Sequence, residues 1–137
     1  MSAQTELWRT RARMLLALLL LVWAILLVRL VPLRLWRDRL GLMPGRSDPA
    51  EVRRWASQVE RAAWRWHLPI KCLPRAMALS WLLRRRGLAH QVVLTIRPQA
   101  LRHSPDALHA WVEAGGERVL GDLPGPWFEL QRLPRAA

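Results

Sequence analysis

The sequence contains one cysteine, Cys72, so no disulfide bond can form within the chain. A single cysteine is typical of a reducing compartment, where the thiol is either kept for chemistry or simply buried. The spacing of His67, His90 and His103 does not match a metal site, and we interpret these three as surface or loop residues. No glycine-rich loop of the kind that cradles phosphates is present. The sequence therefore predicts neither a metal nor a nucleotide cofactor.

Acidic residues are also scarce: 10 stand against 22 basic residues, which gives a net charge of +12. Lys71 is the only lysine, so arginine carries nearly all of the positive charge. This balance favours acidic partners such as anionic lipid or an acidic peptide. Nucleic acid is not the expected partner, because the arginines are scattered and no aromatic-basic motif accompanies them. Tyrosine is absent, and the nine tryptophans are spread from Trp8 to Trp127 without forming a cluster in the sequence.

The composition divides the chain into three parts. Residues 1–40 are hydrophobic and flanked by arginines, residues 41–47 form a linker with glycine and proline, and residues 48–137 form the main domain. The apolar stretch Met14–Leu33 is about as long as a bilayer span, which needs roughly 20 residues. We expect it to attach the protein to a membrane; the alternative is a helix buried against the domain or a partner.

Arginines lie on both sides of this stretch, and the group on its C-terminal side is slightly the larger: Arg34, Arg37, Arg39 and Arg46. Positive charge is enriched on the cytoplasmic side of membrane segments. The main domain is therefore expected in the cytoplasm, with residues 14–33 attaching it to the inner face of the membrane. A cleaved signal peptide fits less well, because no small-residue cleavage site follows the apolar run.

Patterning predicts an α+β domain. Asp48 can cap a helix that would extend to about Trp66, since Pro49 suits the first helical turn. A second helix should begin near Cys72 and end before Gly87, a residue suited to a left-handed terminating position. Gln91–Ile96 is rich in β-branched residues and predicts a strand. The tail from residue 123 holds three prolines and is expected to pack loosely.

A hairpin is predicted around Gly115 and Gly116, which are a strong two-residue turn signal. The tight turn would pair Ala114 with Glu117, and therefore Glu113 with Arg118 and Val112 with Val119. Continuing this register places His109 opposite Asp122 on the same sheet face, within reach of an imidazole–carboxylate hydrogen bond. A slip by one residue would turn Asp122 to the other face.

Cys72, His109 and Asp122 follow one another in the order of a cysteine acyl-transfer triad. The start of a helix favours a thiolate, because free N–H groups and the helix dipole stabilise an anion there. His109 would accept the thiol proton and pass it to the leaving amine, while Asp122 would hold the imidazole tautomer. Taken singly, each residue has a plainer interpretation: a small buried thiol, a strand histidine and a turn-initiating carboxylate.

The segments Cys72-Leu73-Pro74-Arg75-Ala76 and His109-Ala110-Trp111-Val112-Glu113, with the following Asp122, resemble the lasso-peptide biosynthesis B protein family. The resemblance covers roughly residues 48–122. Members of this family are transglutaminase-like leader peptidases. The resemblance implies a papain-like cysteine core, in which a helix carrying Cys72 packs on a small antiparallel sheet carrying His109 and Asp122.

The resemblance further implies three partners. They are a precursor peptide, a leader-recognition protein and a separate ATP-dependent cyclase that closes the macrolactam. Some family members carry the recognition domain fused at the N-terminus, and here no room for it exists before Asp48, so a separate recognition protein is expected. Arg75 and Trp111 match family positions; Arg75 could hold a carboxylate and Trp111 could shield the site from water.

Two other hypotheses stay open at this point. The same acyl-enzyme could be resolved by an amine instead of water, which would make the protein an amide-forming, transglutaminase-like acyltransferase. Alternatively, the protein could be a non-catalytic, basic, membrane-tethered scaffold for acidic partners, in which Cys72 has ordinary thiol reactivity.

Overall fold

The computed structural model describes residues 3–65, 72–98, 108–121 and 126–134. The helices of this part of the chain are α1 (Ala3–Leu30), α2 (Leu33–Trp36), α3 (Pro49–Arg65) and α4 (Cys72–Arg85), with a 3₁₀ turn at Arg37–Arg39. The strands are β1 (Gln91–Ile96), β2 (Leu108–Ala114), β3 (Glu117–Leu120) and β4 (Phe128–Leu133). They form one antiparallel sheet in the order β3-β2-β1-β4. The predicted α+β class is confirmed.

Both predicted helix boundaries have local causes. The Asp48 carboxylate accepts the backbone N–H of Glu51 at 3.1 Å, which caps the first turn of α3. Gly87 adopts a left-handed conformation with φ of 68° directly after α4. There the N–H of Leu88 donates to the carbonyl of Leu83 at 2.9 Å, closing the helix end. The predicted end of α3 at Trp66 lies just outside the described residues.

The core lies between the helices and one face of the sheet. α3 and α4 contact each other, and α4 also packs on β1 and β2. α1 packs across α3 and α4 through the fully buried Ala17, Leu21 and Ala24. These three residues belong to the same apolar cluster as Leu79 of α4 and Val112 of β2. The N-terminal helix therefore shares a core with the rest of the domain.

The predicted hairpin forms, with positive φ at both Gly115 (60°) and Gly116 (80°). Glu113 pairs with Arg118 and Ala114 with Glu117, as expected. Beyond these pairs the register shifts, and Val112 faces Leu120 instead of Val119. The predicted Val112–Val119 pair is therefore wrong, because a β-bulge inserts one extra residue into β3.

Two other expectations are corrected. The tail is not loose throughout, because its residues Phe128–Leu133 form β4 and pair with β1. His90 is not a surface residue: it is 1% exposed, lies beside Ser80 Oγ at 2.7 Å and donates from Nδ1 to the Leu88 carbonyl at 2.8 Å. Burial lowers the pKa of His90 to about 4, so the ring is neutral at pH 7. The predicted surface positions His67 and His103 lie outside the described residues.

The neutral His90 completes a buried hydrogen-bond chain. Because Nδ1 donates to a carbonyl, Nε2 accepts from the Ser80 hydroxyl, and Ser80 Oγ in turn accepts the backbone N–H of Gly41 at 2.8 Å. The backbone of Leu42 also bridges to His90. The segment that joins α1 to α3 is thereby fastened to α4 and the start of β1.

Candidate active site

Cys72 is the first residue of α4, where backbone N–H groups have no partner within the helix. Its thiol is partly buried and accepts from two backbone N–H groups, those of Leu73 in the same helix and Ala110 in β2. The packing of α4 on β2 therefore directs two N–H dipoles toward the sulfur. Such donors stabilise a thiolate more than a thiol.

His109 lies on β2 with its side chain hydrogen-bonded to the Cys72 thiol. Its Nε2 donates to the backbone carbonyl of Gly121 at 2.6 Å. A carbonyl can only accept, so Nε2 carries a proton and Nδ1 is the nitrogen left for the sulfur. The backbone carbonyl of His109 accepts the hydroxyl of the buried Thr95 at 3.0 Å, which fixes this point of the strand.

The thiol and the imidazole shift each other's pKa in opposite directions. Burial raises the pKa of the Cys72 thiol, but the hydrogen bond and charge of His109, together with the two backbone N–H groups, outweigh burial and leave the pKa below its ordinary value. The hydrogen bond to Cys72 raises the pKa of His109; burial opposes this and the Gly121 carbonyl adds to it. The arrangement favours a thiolate–imidazolium pair.

Aromatic rings and arginines border the imidazole. Trp127 stacks on His109 with ring centroids 5.1 Å apart and an interplanar angle of 24°. The guanidinium of Arg97 lies 4.3 Å from the centroid of the Trp127 ring. The Trp111 ring is tilted by 50° to the imidazole of His109, with ring centroids 6.1 Å apart. These rings limit the movement of the imidazole and its contact with water.

Residues 17–134 match a sequence model described as the Transglutaminase-like superfamily. The chain belongs to the transglutaminase-like superfamily. Enzymes of this superfamily are typically cysteine hydrolases or acyltransferases, in agreement with a thiol held against an imidazole. The searches of curated proteins and of solved structures found no match.

Two of the three residues predicted as a triad, Cys72 and His109, lie in the described part of the chain. Cys72 and His109 come together as expected. Asp122 lies outside the described residues, so its role stays a prediction. The shifted register removes the pairing argument that placed it opposite His109. What the structure adds is that His109 bonds to Gly121, the residue that precedes Asp122 in the chain.

The two supporting residues have partners within the chain. Arg75 donates to Glu60 of α3 at 3.1 Å, so the carboxylate that it holds belongs to the protein itself. Trp111 is 4% exposed, and its Nε1 donates to Glu113 at 2.9 Å while Arg118 lies over its ring. Glu113 also accepts from Arg132 of β4, so the Trp111 ring is anchored across the sheet.

Sequence reasoning missed three contributors to the site: Gly121, Trp127 and Arg97. Arg97 follows β1 and Trp127 precedes β4. The two residues lie close together because these strands pair, and the sequence did not predict that pairing. Gly121 carries a signal that could have been used, because a glycine before the predicted acid allows a left-handed backbone, here with φ of 81°. Among the described residues, no group of histidine, cysteine and carboxylate side chains could hold a metal ion.

Proposed function

We propose that this protein is a cysteine peptidase that removes the leader from a ribosomally made lasso-peptide precursor. The observation that carries the proposal is the hydrogen-bonded pair of Cys72 and His109, in which the pKa of the thiol is lowered and that of the imidazole is raised. Membership of the transglutaminase-like superfamily supports the acyl-transfer chemistry. The lasso-peptide assignment rests on the motifs around Cys72 and His109 and on their resemblance to the B proteins.

The proposed reaction begins when the Cys72 thiolate attacks the carbonyl carbon of the scissile peptide bond. The C–N bond then breaks as His109 gives its proton to the leaving amine, and a thioester joins Cys72 to the acyl part. Water next attacks the thioester carbonyl carbon while its proton passes to His109. The C–S bond then breaks, which releases the carboxylic acid and restores the thiolate–imidazolium pair. Asp122 would orient and stabilise the imidazolium, and the backbone N–H of Cys72 would stabilise the oxyanion.

The proposed partners are the precursor peptide, a separate leader-recognition protein and the macrolactam-forming cyclase. We place this activity in the cytoplasm at the inner face of the membrane. α1 supports that placement, since it is the one helix of the described residues long and apolar enough to cross a bilayer.

The direct test mixes the full chain with a precursor and a leader-recognition protein, and follows the products by mass spectrometry. Wild type should release the leader with addition of one water, and Cys72→Ala and His109→Ala should reduce cleavage by at least about 10³-fold. The exposed Ser57→Ala on α3 is the matched control and should cleave normally. Cleavage retained by Cys72→Ala would reject the proposal.

An amide-forming acyltransferase is the second candidate, and the superfamily match favours it as much as hydrolysis. The thioester would then be attacked by an amine instead of water. The same mass spectra separate the two candidates, because transfer joins two molecules and hydrolysis adds water. A non-catalytic scaffold would give neither product and would leave Cys72 with ordinary thiol reactivity.

A further inference from the structure

The outer face of α1 is apolar and uncovered. Side chains spaced by three, four or seven residues lie on this face and are 43–76% exposed: Trp8, Leu15, Leu19, Val22, Leu26 and Leu30. Their spacing puts them on one stripe along the helix. We name these six residues the outer stripe. A contiguous apolar stripe of this length on a protein surface marks an interaction site, whereas single scattered apolar residues do not.

The opposite face of α1 is already occupied by the domain. Ala17, Leu21 and Ala24 are fully buried against α3 and α4, and they lie in the middle of the apolar segment. Nearer the N-terminus, the guanidinium of Arg13 lies 5.8 Å from the centroid of the Trp55 ring of α3. α1 is therefore attached to the domain along much of its length.

This attachment conflicts with α1 crossing a bilayer. If α1 spanned the hydrocarbon region as it is packed here, α3 with its exposed Arg54 and Arg61 would have to enter it as well. Burying such charges in a bilayer costs several kcal/mol for each residue. α1 is not an ordinary core helix either, because only 17% of its apolar 18-residue stretch is buried.

Charge favours one occupant for the outer stripe. Arg9 and Arg11 lie at one end of α1 and Arg29 at the other, all exposed, and Glu6 is the only acidic residue of the helix. The tryptophan at position 8 adds a side chain that prefers the boundary between water and lipid. An apolar stripe with cations at both ends matches the surface of an anionic bilayer, with apolar side chains among the acyl chains and arginines at the phosphates.

We infer that the outer stripe of α1 lies in the plane of an anionic lipid surface, so that the domain docks on the membrane without α1 crossing it. The inference deepens the placement made under the proposed function and does not depend on catalysis. Its tests therefore use the full chain with Cys72→Ala, so that loss of activity and loss of docking are separate results.

The first test is co-sedimentation with phosphatidylcholine vesicles, with and without phosphatidylglycerol. Binding should require phosphatidylglycerol and weaken as salt is raised. Leu19→Glu with Leu26→Glu should lower the partition coefficient roughly 100-fold or more, because two apolar side chains are lost from the lipid contact. Arg11→Gln with Arg29→Gln should lower it roughly fivefold for each arginine.

Matched controls come from strands β2 and β4, whereas α1 packs on α3 and α4. Leu108→Glu with Leu130→Glu changes two leucines that are 65% and 59% exposed, and it adds the same charge as the outer-stripe variant. This control should bind vesicles within about twofold of the parent, the small difference arising from net charge. Far-UV circular dichroism of each variant would confirm that the helices are retained.

The second test decides between lying on the membrane and crossing it. Gln4→Cys in the Cys72→Ala background puts the only thiol near the start of α1. On vesicles, a membrane-impermeant maleimide should label it without detergent, as it should label the exposed control position Ser57→Cys on α3. Labelling of Gln4→Cys that requires detergent would show a crossing helix and overturn the inference.

Two further outcomes would also overturn it. The first is equal vesicle binding by the outer-stripe variant and the parent. The second is the absence of vesicle binding together with a dimer that Leu19→Glu and Leu26→Glu dissolve, as measured by analytical ultracentrifugation. That result would assign the outer stripe to a second copy of the chain.

Discussion

The imidazole of His109 is held by a backbone carbonyl: Nε2 donates to the oxygen of Gly121 at 2.6 Å. This bond fixes the tautomer in which Nδ1 faces Cys72. In a cysteine triad the orienting group is usually a side-chain acid or amide, whereas here the end of β3 already supplies an acceptor.

Gly121→Ala should displace that carbonyl. Gly121 has φ of 81°, and a Cβ there would lie 2.8 Å from the Ala110 carbonyl oxygen, so the backbone must move. We expect the rate of Cys72 alkylation at neutral pH, and of cleavage, to fall roughly 10- to 100-fold. The control is Gly116→Ala, which has the same positive φ but open space around the new methyl group. Equal rates for both variants would show that the carbonyl does not position His109.

Asp122→Asn should preserve the tautomer of His109, because the acceptor for Nε2 belongs to Gly121. Its effect on cleavage should therefore be smaller than the roughly 10⁴-fold loss that a wrong tautomer causes in a catalytic triad. Nitrogen-15 NMR of the histidine rings, at a pH above the pKa of His109 so that its ring is neutral, would report the tautomer directly. A proton that moves to Nδ1 in Asp122→Asn would mean that the carboxylate, and not Gly121, sets the ring.

Trp127 and Arg97 should shift the pKa of His109 in opposite directions. Trp127→Leu removes the stacked ring, which favours the cationic imidazolium, so the pKa of His109 should fall. Arg97→Gln removes a positive charge that lowers this pKa, so it should rise. Because the pair needs a protonated His109, the alkaline limb of the pH–rate profile should move down in Trp127→Leu and up in Arg97→Gln. Shifts in the same direction would contradict this assignment.

His90 should make the fold sensitive to acid. Its pKa is about 4 in the folded protein and about 6.5 in the unfolded chain, so the unfolded state takes up the proton first. The stabilisation is complete above pH 6.5 and is lost as the pH falls toward 4, by about 3 kcal/mol in total. Urea unfolding at several pH values should show this loss in wild type and a smaller one in His90→Gln. Equal pH dependence in both proteins would contradict the burial argument.

Local signals in the sequence predict much of this fold because the causes are local. Asp48 caps α3, Gly87 ends α4 and the two glycines make the hairpin. What depends on distant pairing was not predictable in this way. β4 joins β1 across more than thirty residues of chain, and the bulge in β3 shifts its pairing with β2 between Glu113 and Val112. The surface position predicted for His90 is wrong because its partner Ser80, on α4, comes beside it only in the folded chain.

The same distinction between local causes and distant pairing applies to the candidate site. The meeting of Cys72 and His109 could be expected from a helix start and a strand that carry matching motifs. The groups that tune the pair could not, because the Ala110 N–H and the Trp127 ring reach it through the packing of α4 on β2 and of β4 on β1. Composition predicts the apolar N-terminal helix. The face that it buries could not be predicted, because that face is defined by the packing of α1 on α3 and α4.

The most direct test of the account is the pH dependence of Cys72 alkylation by iodoacetamide, in wild type and in His109→Gln. Cys72 is the only thiol in the chain, so the rate reports its ionisation without any substrate. The account predicts that the wild-type rate reaches half its maximum at a pH below the ordinary thiol value of about 8.5, and that the midpoint rises in His109→Gln. Coincident midpoints in the two proteins would contradict the thiolate–imidazolium pair.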